Sequence, residues 1–260
     1  MKTLKLLFLA LIVSFSTQLN AQTADEIIAN YFENTGGIDA WNSIDGMKMT
    51  AKMNQQGMEI PIEIIRLKSG KQMTIINFQG KVMKQGVFNG EILWGINFMT
   101  QKAEKMDQET TDNMKRQIKD FPDPFLNYKE KGYSVELLGK EEVDGTETFK
   151  LKLTKTPVII DGKEEENISY YFFDTENFVP IVVQTEIKAG PMKGQVSESK
   201  LSDYQEVGDI YMPFSMTQGF KGQPGQVIAM DTIELNPKID DAEFEFPEEE
   251  AVEAPAEEIK

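Results

Sequence analysis

The chain has 260 residues, no cysteine and no histidine, and 43 acids against 27 bases, for a formal net charge of -16. The two missing residue types remove disulfide frameworks, the Ser-His-Asp and Cys-His triads, the common zinc sites and thiol redox chemistry. The acid excess gives a surface that repels nucleic acid and anionic lipid headgroups alike, and a basic face on a partner protein would complement it.

The first segment reads as a secretory signal. Lys2 and Lys5 precede an apolar run from Leu6 to Phe15, and Leu19-Asn20-Ala21 supplies a small-residue cleavage site, so cleavage after Ala21 and export to the periplasm are expected. At about ten residues the run is half the length that spans a bilayer. The remaining chain suffices for one β domain over residues 22–247, which without disulfides must be held by its own core. From Asp240 to Lys260 there are ten acids and one lysine, and residues 248–260, reduced to Glu, Ala, Pro, Val, Ile and Lys with no period, read as a disordered acidic tail.

Thr23-Ala24-Asp25-Glu26 is a capping box, and Ile27, Ile28, Tyr31 and Phe32 continue it as the apolar stripe of a helix over 24–34 that stops at Gly36-Gly37. Ile38, Trp41 and Ile44 predict a further helical turn with Trp41 inward. From Met47 the apolar period changes from 3.6 to 2, through Met47, Met49, Ala51 and Met53, then Ile60, Ile62 and Ile64. Turn signals at Gln56-Gly57, Ser69-Gly70, Gln79-Gly80 and Asn89-Gly90 join these runs as hairpins. The alternation breaks once, over Asp107 to Lys119, a polar helix-forming stretch ended by Phe121-Pro122-Asp123-Pro124, and resumes from Tyr133 to Asn236. The expected architecture is mainly β: a half-open antiparallel β-barrel of about 11–12 strands, with an N-terminal helix and an inserted helical lid.

No phosphate-binding Gly-rich fingerprint is present, and the carboxylates gather in runs such as Glu164-Glu165-Glu166 that read as solvated faces. A catalytic carboxylate pair would need two acids converging in a pocket with one pKa raised. The informative feature is the apolar inventory, with 14 Met and 16 Phe, many at alternating positions. Methionine and aromatic side chains either fill a core or make an adaptable surface for acyl chains. A single curved sheet with few helices leaves its concave face to be covered by the inserted helix or by a ligand. On alternation, the strand residues expected to line such a cavity are Met49, Ile62, Ile64, Trp94, Leu151, Leu153, Met212, Phe214 and Met216. Met114, Ile118, Phe121, Phe125 and Leu126 would face inward from a lid over Asp107 to Asn127, with Pro122 and Pro124 as its stiff boundary. Arg66, at the end of an apolar strand, is placed to pair with a carboxylate or hold a polar headgroup at a cavity rim.

The order of "TADEIIANYFENTGGIDAWNSI", "FNGEILWGI", "LLGKEEVDGTETFKLKL", "FFDTENFVPI" and "DIYMPF" resembles the outer-membrane lipoprotein-sorting proteins related to LolA and LolB, over Ala24 to Pro247. The resemblance implies a half-open barrel closed by a helical lid, taking up the acyl chains of a lipoprotein or another lipid for transfer towards the outer membrane. The chain is expected to be a monomer without cofactor or catalysis and with at most transient membrane contact; Arg66 is the candidate for the lid latch of such carriers. The alternative is an envelope interaction module with a fully packed sheet and an acidic tail that docks on a basic partner.

Overall fold

The computed structural model describes residues 22–247 apart from Gln56 and the side chain of Gln55; the expected signal sequence and the expected disordered acidic tail lie outside the described residues. Helix α1 (Ala24–Asn34) starts as its capping box dictates: Thr23 Oγ1 accepts from the Glu26 amide at 3.2 Å, and the Thr23 amide donates to Glu26 Oε2 at 2.8 Å. It buries Ile27, Ile28, Tyr31 and Phe32. Gly36 ends it with φ 113°, and a Cβ there would sit 2.0 Å from the Asp209 carbonyl oxygen, so only glycine permits the approach. Helix α2 (Ile38–Asn42) then lays Trp41 inward, its Nε1 donating to Thr35 Oγ1 and to the Thr35 carbonyl, each at 3.1 Å.

The strands are β1 (Gly46–Gln55), β2 (Met58–Leu67), β3 (Gln72–Phe78), β4 (Lys81–Phe88), β5 (Leu93–Ile96) and β6 (Ala103–Lys105), then, after helix α3 (Gln108–Gln117), β7 (Ser134–Val143), β8 (Thr146–Ile160), β9 (Lys163–Asp174), β10 (Pro180–Glu186), β11 (Val196–Val207), β12 (Ile210–Phe220) and β13 (Gln226–Leu235). All thirteen form one antiparallel sheet in the order β6-β5-β4-β3-β2-β1-β13-β12-β11-β10-β9-β8-β7. It is two meanders joined by the pairing of β1 with β13. Its edges, β6 and β7, do not meet, and the connection between them carries α3 from one edge to the other. The sheet is therefore an open half-barrel, with more strands than the 11–12 expected; the three-residue β6 is too short to show a period.

Register assigns the faces, because residues directly opposite in an antiparallel pair point the same way. Met47, Met49, Ala51 and Met53 of β1 stand opposite Arg66, Ile64, Ile62 and Ile60 of β2, and opposite Leu235, Ile233, Met230 and Ile228 of β13. This is the inner face. At the start of β1 it carries the main core: Met47, Phe149, Leu151, Leu153, Phe173, Val207 and Ile210 pack against α1, Trp41 and the segment after α3.

The outer face has a core of its own. Ile65, Met73, Val87 and Trp94 are covered by Phe244 of the 3-10 turn Asp241–Phe244, with Phe246 edge-on to Trp94 at 5.8 Å. Trp94, 2% exposed, donates from Nε1 to the Phe244 carbonyl at 3.0 Å. It therefore lies on the opposite side of the sheet from the expected cavity and anchors the C-terminal segment. Trp94→Phe would leave that buried carbonyl without its donor, and a loss of about 1–3 kcal/mol is expected in urea unfolding.

Candidate functional site

The inner face divides into two halves. In the half nearest α1, Phe125 and Leu126 are 1% and 4% exposed and Leu151 and Leu153 are both 0%. Phe125 meets Tyr171 at 4.7 Å and Phe173 at 5.4 Å, both edge-on. These four side chains, expected to line a cavity, are instead sealed by α1 and by their own chain. Alternation put Leu151 and Leu153 on one face, and Phe125 and Leu126 were expected inward from the lid, but neither pattern could show that α1 would fill the space.

In the other half, towards the ends of β1, β2, β3, β12 and β13 away from α1, helices α1 and α2 no longer cover the sheet. Ala51, Ile60, Ile62 and Ile228 form the floor, and Met53, Ile64, Ile76, Phe78, Met216 and Met230 rise from it half-buried. Met49 is half-buried between the two halves, while Met212, Phe214 and Ile233 are half-buried against the main core. The result is an apolar trough whose walls keep solvent contact. Ile76, Phe78 and Met230 belong to it although alternation did not single them out, and so does Met53, which alternation put on the face of Met49 but which was not among the expected lining residues. Their signal was available in the facing positions of β1, β3 and β13, but needed the register to be read.

The inserted segment crosses between the sheet edges. Asp107 caps α3, accepting from the Thr110 amide at 2.8 Å, and the helix is pinned to the β8–β9 turn. Glu109 accepts from the amides of Asp161 and Gly162 at 3.0 and 2.9 Å, and Asn113 exchanges hydrogen bonds with both backbone groups of Ile159, at 2.6 and 2.8 Å. At its other end Ile118 lies on Gly70, where a Cβ would come within 2.7 Å of Ile118 Cδ1. Met114, Ile118 and Phe121 are half-buried and line, with Arg66 and Asp120, a cavity of about 170 Å³. Arg66 keeps contact with solvent, yet the surrounding protein strips enough water to lower its pKa, an effect that nearby Asp120 opposes. Asp120 is itself held by Lys155 at 2.5 Å and by the Tyr133 hydroxyl at 2.8 Å.

Below this lies Asp123. Oδ2 accepts from the Tyr31 hydroxyl at 3.0 Å, Oδ1 from the Phe125 amide at 2.7 Å, and its carbonyl from Lys131 Nζ at 2.8 Å. Burial, the largest influence, raises the Asp123 pKa above the ordinary range in spite of these donors. The folded state thus holds this proton more tightly than the unfolded chain, and the contribution of Asp123 to stability falls as pH rises from about 4, the usual aspartate value, to the raised one. Asp123→Asn is expected to remove that slope, seen as a flatter plot of unfolding midpoint against pH across the window.

Asp120 and Asp123 are thus each held by partners from neighbouring segments. Among the described residues no group of three or more Asp and Glu is placed to hold a metal ion, and no helix is long and apolar enough to cross a membrane.

No family model and no curated protein matches the chain. Solved structures do. A LolA superfamily protein from Nitrosomonas europaea aligns at 14% identity over 86% of this chain and 98% of its own, with a TM-score of 0.52. A DUF1329 family protein from Desulfovibrio piger gives the same figures, and a domain named for outer membrane lipoprotein sorting, from Vibrio parahaemolyticus, aligns at 12% identity over 84% and 94% with a TM-score of 0.50. The chain therefore shares its fold, an open antiparallel half-barrel, with these structures, as the sequence resemblance implied.

Proposed function

We propose that this chain is a non-enzymatic carrier of the cell envelope, holding the acyl chains of lipidated proteins or of free lipids in the inner-face trough. The observation that carries the reading is the half-buried apolar surface of Met53, Ile64, Ile76, Phe78, Met216 and Met230, left uncovered where α1 and α2 end. Unbranched methionines let such a surface adapt to flexible chains. Each methylene removed from water contributes about 0.8 kcal/mol, so ten contribute about 8 kcal/mol before ordering costs. The sealed half of the face would act as the rigid end-stop, and α3 as the strap across the opening. Arg66, on the same face and beside Asp120, is placed to meet a polar headgroup. The likeness in fold to a lipoprotein-sorting domain, and the signal-like N-terminus, favour an envelope location.

The test is native mass spectrometry of the mature chain purified from an envelope extract, before and after organic extraction. A mass excess that extraction removes, with fatty-acid probe uptake by the stripped protein, is the expected result. A bare polypeptide mass and no uptake would favour the interaction module instead.

A further inference from the structure

Ten large apolar side chains are exposed among the described residues, and six of them sit at one end of the sheet: Met58 (46%), Val82 (59%), Phe98 (60%), Met99 (91%), Met192 (37%) and Val227 (45%). β1 runs from the helices to Gln55, and the alternating strand directions bring the turns after β1, β3, β5, β10 and β12 to the end away from α1. With one strand residue on either side, these five connections span 55–58, 78–81, 96–103, 186–196 and 220–226. They contain five lysines (Lys81, Lys102, Lys188, Lys193 and Lys221) and one acid, Glu186, in a chain whose net charge is -16. The remaining turn at this end, Asp161-Gly162, is held by Glu109 and followed by three glutamates, so the basic rim is confined to the other five.

The rim is continuous with the trough. Phe98 meets Phe78, a wall of the trough, with ring centroids 6.0 Å apart. Exposed apolar tips on turns that carry lysines match the two attractions of a lipid interface, burial at the headgroup boundary and neutralisation of anionic headgroups. The whole molecule would be repelled by such a surface, whereas these five turns carry more lysines than acids.

We propose that these five turns are a docking face for an anionic lipid bilayer, which sets the open end of the trough against the membrane. The surface stands on the exposure and charge of the turns; its use in loading or release rests on the carrier reading. Reversible attachment is expected, because six separate side chains give far less insertion than a membrane-spanning helix.

The experiment is flotation of the full mature chain with phosphatidylcholine vesicles, with and without phosphatidylglycerol, over a salt series, with fatty-acid probe uptake measured separately without vesicles. Wild type is expected to float with the anionic vesicles only, and less as salt rises. Phe98→Ser with Met99→Ser, and separately Lys81→Glu with Lys193→Glu and Lys221→Glu, are expected to reduce partitioning at least tenfold while probe uptake stays at the wild-type value. These side chains are at turns, so the thermal midpoint should hold, and the wild-type salt series decides even where a variant fails to fold. No flotation, equal binding to neutral vesicles, or undiminished partitioning of both variants would overturn the proposal. Flotation without probe uptake would retain the docking face and sink the carrier reading instead.

Discussion

Ile64→Asp is expected to reduce fatty-acid probe affinity by about 100-fold or more while leaving the unfolding midpoint within a few degrees of wild type. Ile64 stands opposite Met49 on β1 and Thr74 on β3, on the trough side of β2, and is only half-buried. In the empty protein the new carboxylate therefore keeps water contact, and the fold loses little. Once an acyl chain covers it, that water is lost with no partner gained, and a polar group so stranded costs at least 2–3 kcal/mol, more for a charge. The effect on binding is thus large where the effect on stability is small. The same substitution at Ile65, one residue along, enters the sealed outer core of Met73, Val87 and Trp94, and should unfold the protein without any selective effect on binding. If Ile64→Asp binds the probe as wild type does, with its fold intact, the trough is not the binding surface.

The contrast between Ile64 and Ile65 also marks how far the sequence could be read. Local signals held: the capping box began α1 at Ala24, period-2 alternation found the hairpins, and the polar stretch from Asp107 gave α3. Alternation fixed which residues share a face within each regular run, though not across an irregularity such as the one in β13 between Met230 and Ile233. It could not say which face the helices would cover, because that depends on register across the whole sheet. Trp94 shows the consequence. Its partner is Phe244, 150 residues away in a stretch of acids, where a buried aromatic residue has no local pattern to announce it. Leu151 and Leu153 were legible as inward, yet not as sealed, since nothing local tells a ligand from α1 as the occupant of the space above them.

Phe125→Ala is expected to cost about 3–5 kcal/mol in unfolding free energy, the range for deleting a sealed aromatic ring. The ring is 1% exposed, lies edge-on to both Tyr171 and Phe173, and its backbone amide is the donor that holds Asp123 Oδ1. The loss is one of burial and of ring contacts with Tyr171 and Phe173. The position also decides what the inserted segment can do as a lid. Phe125 fixes the chain after α3 to β9, whereas α3 itself is held by Glu109, Asn113 and Ile118 at the two ends of its span. Opening that frees α3 while Phe125 stays seated would need only those outer contacts to break. Phe125→Ala should then lower the midpoint sharply and leave probe affinity, measured well below that midpoint, within a few-fold of wild type. A variant that unfolds no more easily but loses the probe would instead place Phe125 in contact with the ligand, and the sealed half of the inner face would have to open in the loaded state.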